Sequence, residues 1–274
     1  MMHLAFIGYG EVGQTFARQF LARGGVKISA YDILFDAGSL AERARQVGIT
    51  AARNAADAAQ DANVVISAVT ADAVLDVARE AQTYLKPRQF FFDINSASPN
   101  TKARAAEAVN KTGAYYIEGA VMAAVLAPGI TVPILAGGPA AADLATRMNA
   151  IGMNVRAVAI EYGRASAMKL CRSIVMKGLE VLTVECGRAA EFWDVADEVF
   201  SSLEVTYPGM SWAALAENSM ERVSSHGLRR AAEMREAAAM IADMGLSPAL
   251  AKVIADAQEH GAKSAHAATA DAIS

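Results

Sequence analysis

Gly8-Tyr9-Gly10-Glu11-Val12-Gly13, with Asp32 placed 19 residues beyond the last of those glycines, are the residues of this chain whose types and spacing specify a ligand. In such a pattern the first glycine permits a tight turn and the second lets the backbone approach a pyrophosphate. The third lets a helix pack closely on a strand, its N-terminus towards the phosphates. An acid about 20 residues further on holds the adenosine ribose hydroxyls. It also repels a 2′-phosphate, so the pattern favours NAD over NADP. FAD and S-adenosylmethionine sites share the outline. The candidate cofactor-binding residues are Gly8, Tyr9, Gly10, Glu11, Val12, Gly13 and Asp32, joined by Ala68, Val69 and Thr70 at the end of a later strand.

A second set lies on a helix-like stretch from Arg164 to Arg188. At about 100° per residue, Lys169, Arg172, Ser173, Lys177 and Glu180 fall within an arc of about 140°, and Leu170, Cys171, Ile174, Gly178, Leu179, Val181 and Leu182 cover the rest. Its charged stripe must face a partner, a cleft or solvent. One reading is a solvated stripe with a Lys177–Glu180 pair. The other places Lys169 in a cleft beside the cofactor, where burial and positive neighbours disfavour its charged form and let it act as a proton acceptor. Arg172, less than a turn away, is such a neighbour and can bind a carboxylate with two hydrogen bonds. Farther on, Arg222, His226, Arg229, Arg230 and Glu233 share a face if the helix runs through Gly227. That face is either solvated or subunit-bridging charge, or an anion pocket completed by Arg172 and, in a dimer, by the second copy. Trp212 and Met220 read as core.

The elements that must position these residues alternate. Strand, glycine turn, helix and strand fill Leu4 to Asp32. Helices are then expected at 39–48, 54–61, 71–85 and 140–151, and strands at 63–69, 89–94, 115–118 and 130–136. Ser98 can cap a helix that Pro99 begins. Alternation of this kind implies an α/β fold, a Rossmann-type doubly wound and mostly parallel sheet covered on both faces. Near Tyr162-Gly163 it stops, and the chain reads as helix to about Gly261, interrupted around Tyr207-Pro208-Gly209 and from Gly245 to Pro248. The expected organisation is a dinucleotide-binding domain over 1–160 and an all-helical substrate and dimerisation domain over 161–274. The last dozen residues lack a clear apolar face and are expected to fray.

The whole chain narrows the class further. Its 274 residues are 54% apolar and 20% charged, with a net charge of −4, which does not point to a nucleic-acid partner. No apolar span reaches the roughly 18 residues of a membrane helix, and Met1-Met2-His3 leads straight into the first strand, so a cytoplasmic location is expected. Cys171 and Cys186 would sit about 22 Å apart on a continuous helix, beyond disulfide reach, and read as buried small hydrophobes. Four histidines without a CxxC or HExxH spacing suggest no metal site.

Taken together, Gly8 to Gly13, Asp93-Ile94-Asn95-Ser96-Ala97-Ser98-Pro99, Leu135-Ala136-Gly137-Gly138 and Gly163 to Lys169 resemble the β-hydroxyacid dehydrogenase superfamily, which includes 6-phosphogluconate and 3-hydroxyisobutyrate dehydrogenases. The match covers about the first 180 residues. It implies NAD(P)-dependent oxidation of a 3-hydroxy acid and a helical second domain that pairs two subunits. Carried over by position, Lys169 is the general base, and Asn95 and Ser96 bind substrate.

The departures matter for substrate. Met122-Ala123-Ala124 stands where the family has Ser-Gly-Gly, Arg172 stands where it has asparagine, and Ala232-Glu233-Met234 lies nearest a missing Lys-Asp-Leu. The candidate substrate residues are therefore Asn95, Ser96, Met122, Arg172, Ser173 and Arg230, for a small anionic substrate in a divergent branch. Imine reduction on the same scaffold, which commonly dispenses with this lysine, and a non-catalytic NAD-binding redox sensor are the competing readings.

Overall fold

Leu4-Ala5-Phe6-Ile7, Val64-Val65-Ile66 and Phe90-Phe91-Phe92 are buried at every position, as strands must be when both faces of their sheet are covered. The computed structural model describes residues 1–36 and 38–271. In order, its first part contains β1 (Met2–Ile7), α1 (Glu11–Arg23), β2 (Val26–Tyr31), α2 (Leu40–Gln46), β3 (Thr50–Ala51), α3 (Ala55–Ala59) and β4 (Val64–Ser67). There follow α4 (Val74–Ala81), β5 (Phe90–Asp93), α5 (Pro99–Asn110), β6 (Tyr115–Val121), β7 (Pro133–Gly137), α6 (Ala141–Ala150) and β8 (Asn154–Ala159).

The strands form one sheet in the order β3-β2-β1-β4-β5-β6-β7-β8, parallel except between β6 and β7. Strand order reverses between β1 and β4, and ligands of such sheets bind outside the carboxyl ends of the strands at that point. Side-chain alternation then sorts the core into two layers. Leu4, Phe6, Ile28, Ile66 and Phe92 pack with Phe16 and Phe20 of α1 and Met148 of α6. On the other face Ala5, Ile7, Val65, Phe91 and Tyr116 pack with Val74 and Ala78 of α4 and Ala105 and Val109 of α5.

The alternating architecture expected from the sequence is present, with local differences. β8 was not anticipated, because at this sheet edge only Val155 is buried in Asn154–Ala159 and its apolar signal is weak. The two-residue β3 is too short to show a pattern. The expected helix over 71–85 is a 3-10 turn, Ala71–Ala73, followed by α4. Ser98 does cap α5, its side chain accepting from the Thr101 N–H, with Pro99 in the first turn.

The chain divides into two compact units, Met1–Lys169 and Leu170–Ser274. Helix α7 (Arg164–Phe192) begins in the first unit, which holds its opening turn by contacts described below, and continues into the second. Asp194 then takes a left-handed conformation, φ 55°, and the chain turns into α8 (Ala196–Thr206), α9 (Trp212–Asp243) and α10 (Ala249–Asp271). The expectation of fraying falls partly on residues 272–274, outside the described residues, while α10 itself runs to Asp271. Cys171 is exposed rather than buried, because it lies on the solvent side of α7, and Cys186 is half-buried. No helix among the described residues is long and apolar enough to cross a membrane.

Helices α9 and α10 pack through glycine. A Cβ on Gly227 would lie 2.2 Å from the Gln258 carbonyl oxygen, and one on Gly261 would lie 2.3 Å from a Val223 methyl. Gly227→Ala is therefore expected to destabilise the helical unit by at least the ~1–3 kcal/mol typical of overpacking, since backbone cannot yield. Gly178→Ala meets only the flexible end of Ile254, at 3.2 Å, and gains helix propensity of about 1 kcal/mol, so it should be neutral or stabilising. Denaturant unfolding of the two variants measures the contrast, and equal stabilities would refute it.

Candidate active site

The glycine turn sits at the reversal point of the sheet, and each glycine has a different reason to be there. Gly8 has φ +93°, and a Cβ on it would lie 2.3 Å from the Ala68 carbonyl oxygen, so the β1 and β4 loops touch through it. A Cβ on Gly13 would lie 2.5 Å from the Gly8 oxygen, which brings α1 down onto the turn. Gly10 is exposed and has nothing within 4 Å of its Cβ position, leaving backbone approachable at the start of α1. This is the cradle a pyrophosphate would fill. Glu11 is exposed and Val12 half-buried beside it. The Tyr9 ring is core, 1% exposed and edge-on to Phe35, and burial pushes its phenol up. Its backbone N–H donates to Asp32 Oδ2 at 2.7 Å, and the Leu34 N–H donates to Oδ1 at 2.9 Å. A carboxylate has about four acceptor positions, so this half-buried acid keeps capacity for ribose hydroxyls.

Asn95 has a different task from the one its position in the chain suggested. Its Oδ1 accepts from the Val69 N–H at 2.6 Å, and its Nδ2 donates to Ser67 Oγ at 3.0 Å and to Asp93 Oδ1 at 2.7 Å. With oxygen and both amide protons engaged, Asn95 holds the Ala68-Val69-Thr70 loop to the end of β5. Ser96 differs: its Oγ is buried and hydrogen-bonds no protein group. Beneath the loop lies a network that the sequence reading did not identify. Lys102, 0% exposed, pairs with Asp93 at 2.8 Å and also donates to the Asp93 carbonyl at 3.0 Å. The Tyr116 hydroxyl donates to Asp93 Oδ2 at 2.6 Å, and burial together with that carboxylate pushes its pKa far up, keeping it a donor. Lys102 lies on the same face of α5 as the buried Ala105, Ala106 and Val109, and that spacing was the signal that it would turn inward.

The last elements of the first unit meet at the start of α7. Glu118, fully buried on β6, accepts from the Ala165 N–H at 3.0 Å and from the Ser166 hydroxyl at 2.7 Å. Met122 packs with Ala120, Leu135 and Ala165 at the same place. Lys169 follows one turn later and is half-buried.

In the second unit Lys177 and Glu180 of the α7 stripe are buried and do not pair with each other. Lys177 pairs with Glu233 at 2.8 Å and donates to Ser173 Oγ at 3.1 Å; Glu180, 2% exposed, binds Arg230, with Nε at 3.0 Å, and Arg222 at 3.5 Å. The expected Lys177–Glu180 pair does not form, because charges buried on α7 take their partners from α9, where hydrogen bonds can satisfy them. The face of Arg222, His226, Arg229, Arg230 and Glu233 is therefore divided: Arg222, Arg230 and Glu233 turn to α7, and His226 and Arg229 are exposed. Arg230 and Ser173 are committed to this network, whereas Arg172 is exposed.

The chain is similar to known proteins. Residues 3–97 match a family model described as NADP oxidoreductase, coenzyme F420-dependent, and residues 190–261 match one described as a domain of unknown function, DUF1932. A conserved hypothetical protein of Sinorhizobium meliloti is 37% identical, over 94% of this chain and 88% of that one, with a TM-score of 0.81. A conserved protein of unknown function, described as structurally similar to 3-hydroxyacid dehydrogenases, is 31% identical over 95% of this chain and 98% of its own, with a TM-score of 0.76. A Mycobacterium tuberculosis 3-hydroxyisobutyrate dehydrogenase solved with L-serine shares the fold, with a TM-score of 0.79 at 18% identity over 96% and 94% of the two chains.

The Asp93 network makes a prediction about stability. Lys102→Met leaves a buried carboxylate without its counter-charge and is expected to cost about 3–5 kcal/mol. Tyr116→Phe removes one hydrogen bond to a charged group and is expected to cost about 1.5–3 kcal/mol. Denaturant unfolding ranks the two, and a Lys102→Met variant as stable as wild type would refute the account.

Proposed function

Since the chain belongs to the β-hydroxyacid dehydrogenase superfamily, in a branch with its own C-terminal domain, it is an NAD(P)-dependent oxidoreductase, and we propose that it interconverts a small anionic 3-hydroxy acid and its oxo or semialdehyde counterpart. The observation that carries this reading is Lys169. It stands half-buried one turn into α7, in the same compact unit as the dinucleotide turn. Bound NAD supplies the hydride acceptor. Lys169 takes the hydroxyl proton as the carbinol is oxidised and returns it in the reverse direction. Ser96 contributes the buried hydroxyl that has no protein partner, and Asn95 keeps the Val69 loop in place.

The cofactor reading is NAD. Support comes from the Asp32 carboxylate, which would repel a 2′-phosphate, and from Ile33 and Leu34 after it, which are exposed and apolar. The helical unit exposes Val175, Leu182, Leu250 and Val253, a surface that suits pairing with a second copy.

Lys169→Ala is expected to lower kcat about 10²–10⁴-fold over a panel of 3-hydroxy acids while NADH binding stays within about twofold of wild type. Turnover that survives would remove Lys169 from the chemistry, and tight NADH binding with no turnover of any acid by wild type would favour a sensor. For the cofactor, wild type should show a lower KM for NAD than for NADP, and Asp32→Ala should narrow the gap. A wild type that prefers NADP refutes the argument from the ribose carboxylate.

A further inference from the structure

We propose that Glu118 is a positioning residue for Lys169, its buried carboxylate fixing the first turn of α7. The inference rests on Lys169 being the base and adds to it the group that holds the lysine in place.

Three separate features converge on the first turn of α7. Glu118 is 0% exposed, and both its oxygens are directed at that turn, one to the Ala165 N–H at 3.0 Å and one to the Ser166 hydroxyl at 2.7 Å. The Ala165 N–H is a donor that a helix start leaves without an intrahelical partner, and the positive end of the helix dipole favours the carboxylate there. The facing strand is cleared to admit it. Gly137 is the cross-strand partner of Glu118, and a Cβ on Gly137 would lie 2.4 Å from Glu118 Oε1. On the far side Gly163 accepts the first intrahelical bond from the Ala167 N–H with φ +89°, and its Cβ position lies 2.9 Å from Pro99 at the start of α5. The helix is thus held from β6 and from α5 before its second turn begins.

Ala165 and Ser166 precede Lys169 by four and three residues, so the turn that Glu118 grips lies on the same face as the lysine, one turn before it. Stability alone does not call for a carboxylate here, since a buried charge can often be exchanged for a well-packed apolar group without loss. Geometry does, because a base displaced by about 1 Å can lose 10²-fold in rate.

The test reads Lys169 itself. Formaldehyde with cyanoborohydride methylates lysines, and mass spectrometry gives the rate at each position in the full chain. Ser166→Ala should raise the Lys169 rate several-fold and Glu118→Ala about tenfold, as the first turn loosens. Glu118→Gln, which keeps an acceptor for the Ala165 amide, should return the rate close to wild type, and the buried Lys102 and Lys177 should not change. With 3-hydroxyisobutyrate and NAD as probes, Ser166→Ala and Glu118→Ala should lower kcat and leave KM for NAD within about twofold. Unchanged methylation of Lys169 in Ser166→Ala overturns the proposal even if Glu118→Ala does not fold, and equal acceleration at Lys102 and Lys177 overturns it by marking general loosening. Turnover surviving in Lys169→Ala is a different result: it removes the base and leaves the methylation rates to decide the contact.

Discussion

A charge taken out of water must be given partners, and three buried carboxylates show where this chain is tied together. Asp93 gathers Lys102 of α5, Tyr116 of β6 and Asn95 of the following loop. Glu118 joins β6 to the start of α7. Glu180 joins α7 to Arg230 and Arg222 of α9 and to Gln258 of α10. Apolar layers supply most of the driving force, but they are tolerant of small shifts. The carboxylates are not, because a misplaced partner leaves desolvated charge exposed to an apolar surrounding.

The parts of this arrangement that sequence could reveal are those with local causes. The glycines at 8, 10 and 13 serve a turn built from neighbouring residues, and the central runs Leu4 to Ile7, Val64 to Ile66 and Phe90 to Phe92 are apolar because helices cover both faces. Ser98 and Pro99 announce a helix start within three residues. Other features depend on contacts distant along the chain. Glu118 reads as one acid at the end of an apolar strand, and only the folding of Ala165 and Ser166 onto it, 47 and 48 residues later, gives it a role. Spacing turns Lys102 inward, but only the sheet supplies its partner Asp93. The α7 stripe was visible as a stripe, but its partners lie on α9, and spacing within one helix cannot show them.

The two kinds of glycine at the site separate cofactor from substrate. Gly8 and Gly13 bring backbone against backbone and leave Gly10 open, an arrangement indifferent to which substrate is used. Met122 packs on Ala120, Leu135 and Ala165, as part of the apolar support under α7.

The pairing of β6 with β7 has a consequence for descent. Glu118 and Gly137 face each other across the only antiparallel ladder among the described strands, and the carboxylate occupies the space a side chain at 137 would need. Neither position can be altered by itself without either a collision or an empty, uncompensated gap. Inheritance should treat the two as one locus, so that lineages keeping the acid keep the glycine, and those losing one lose both.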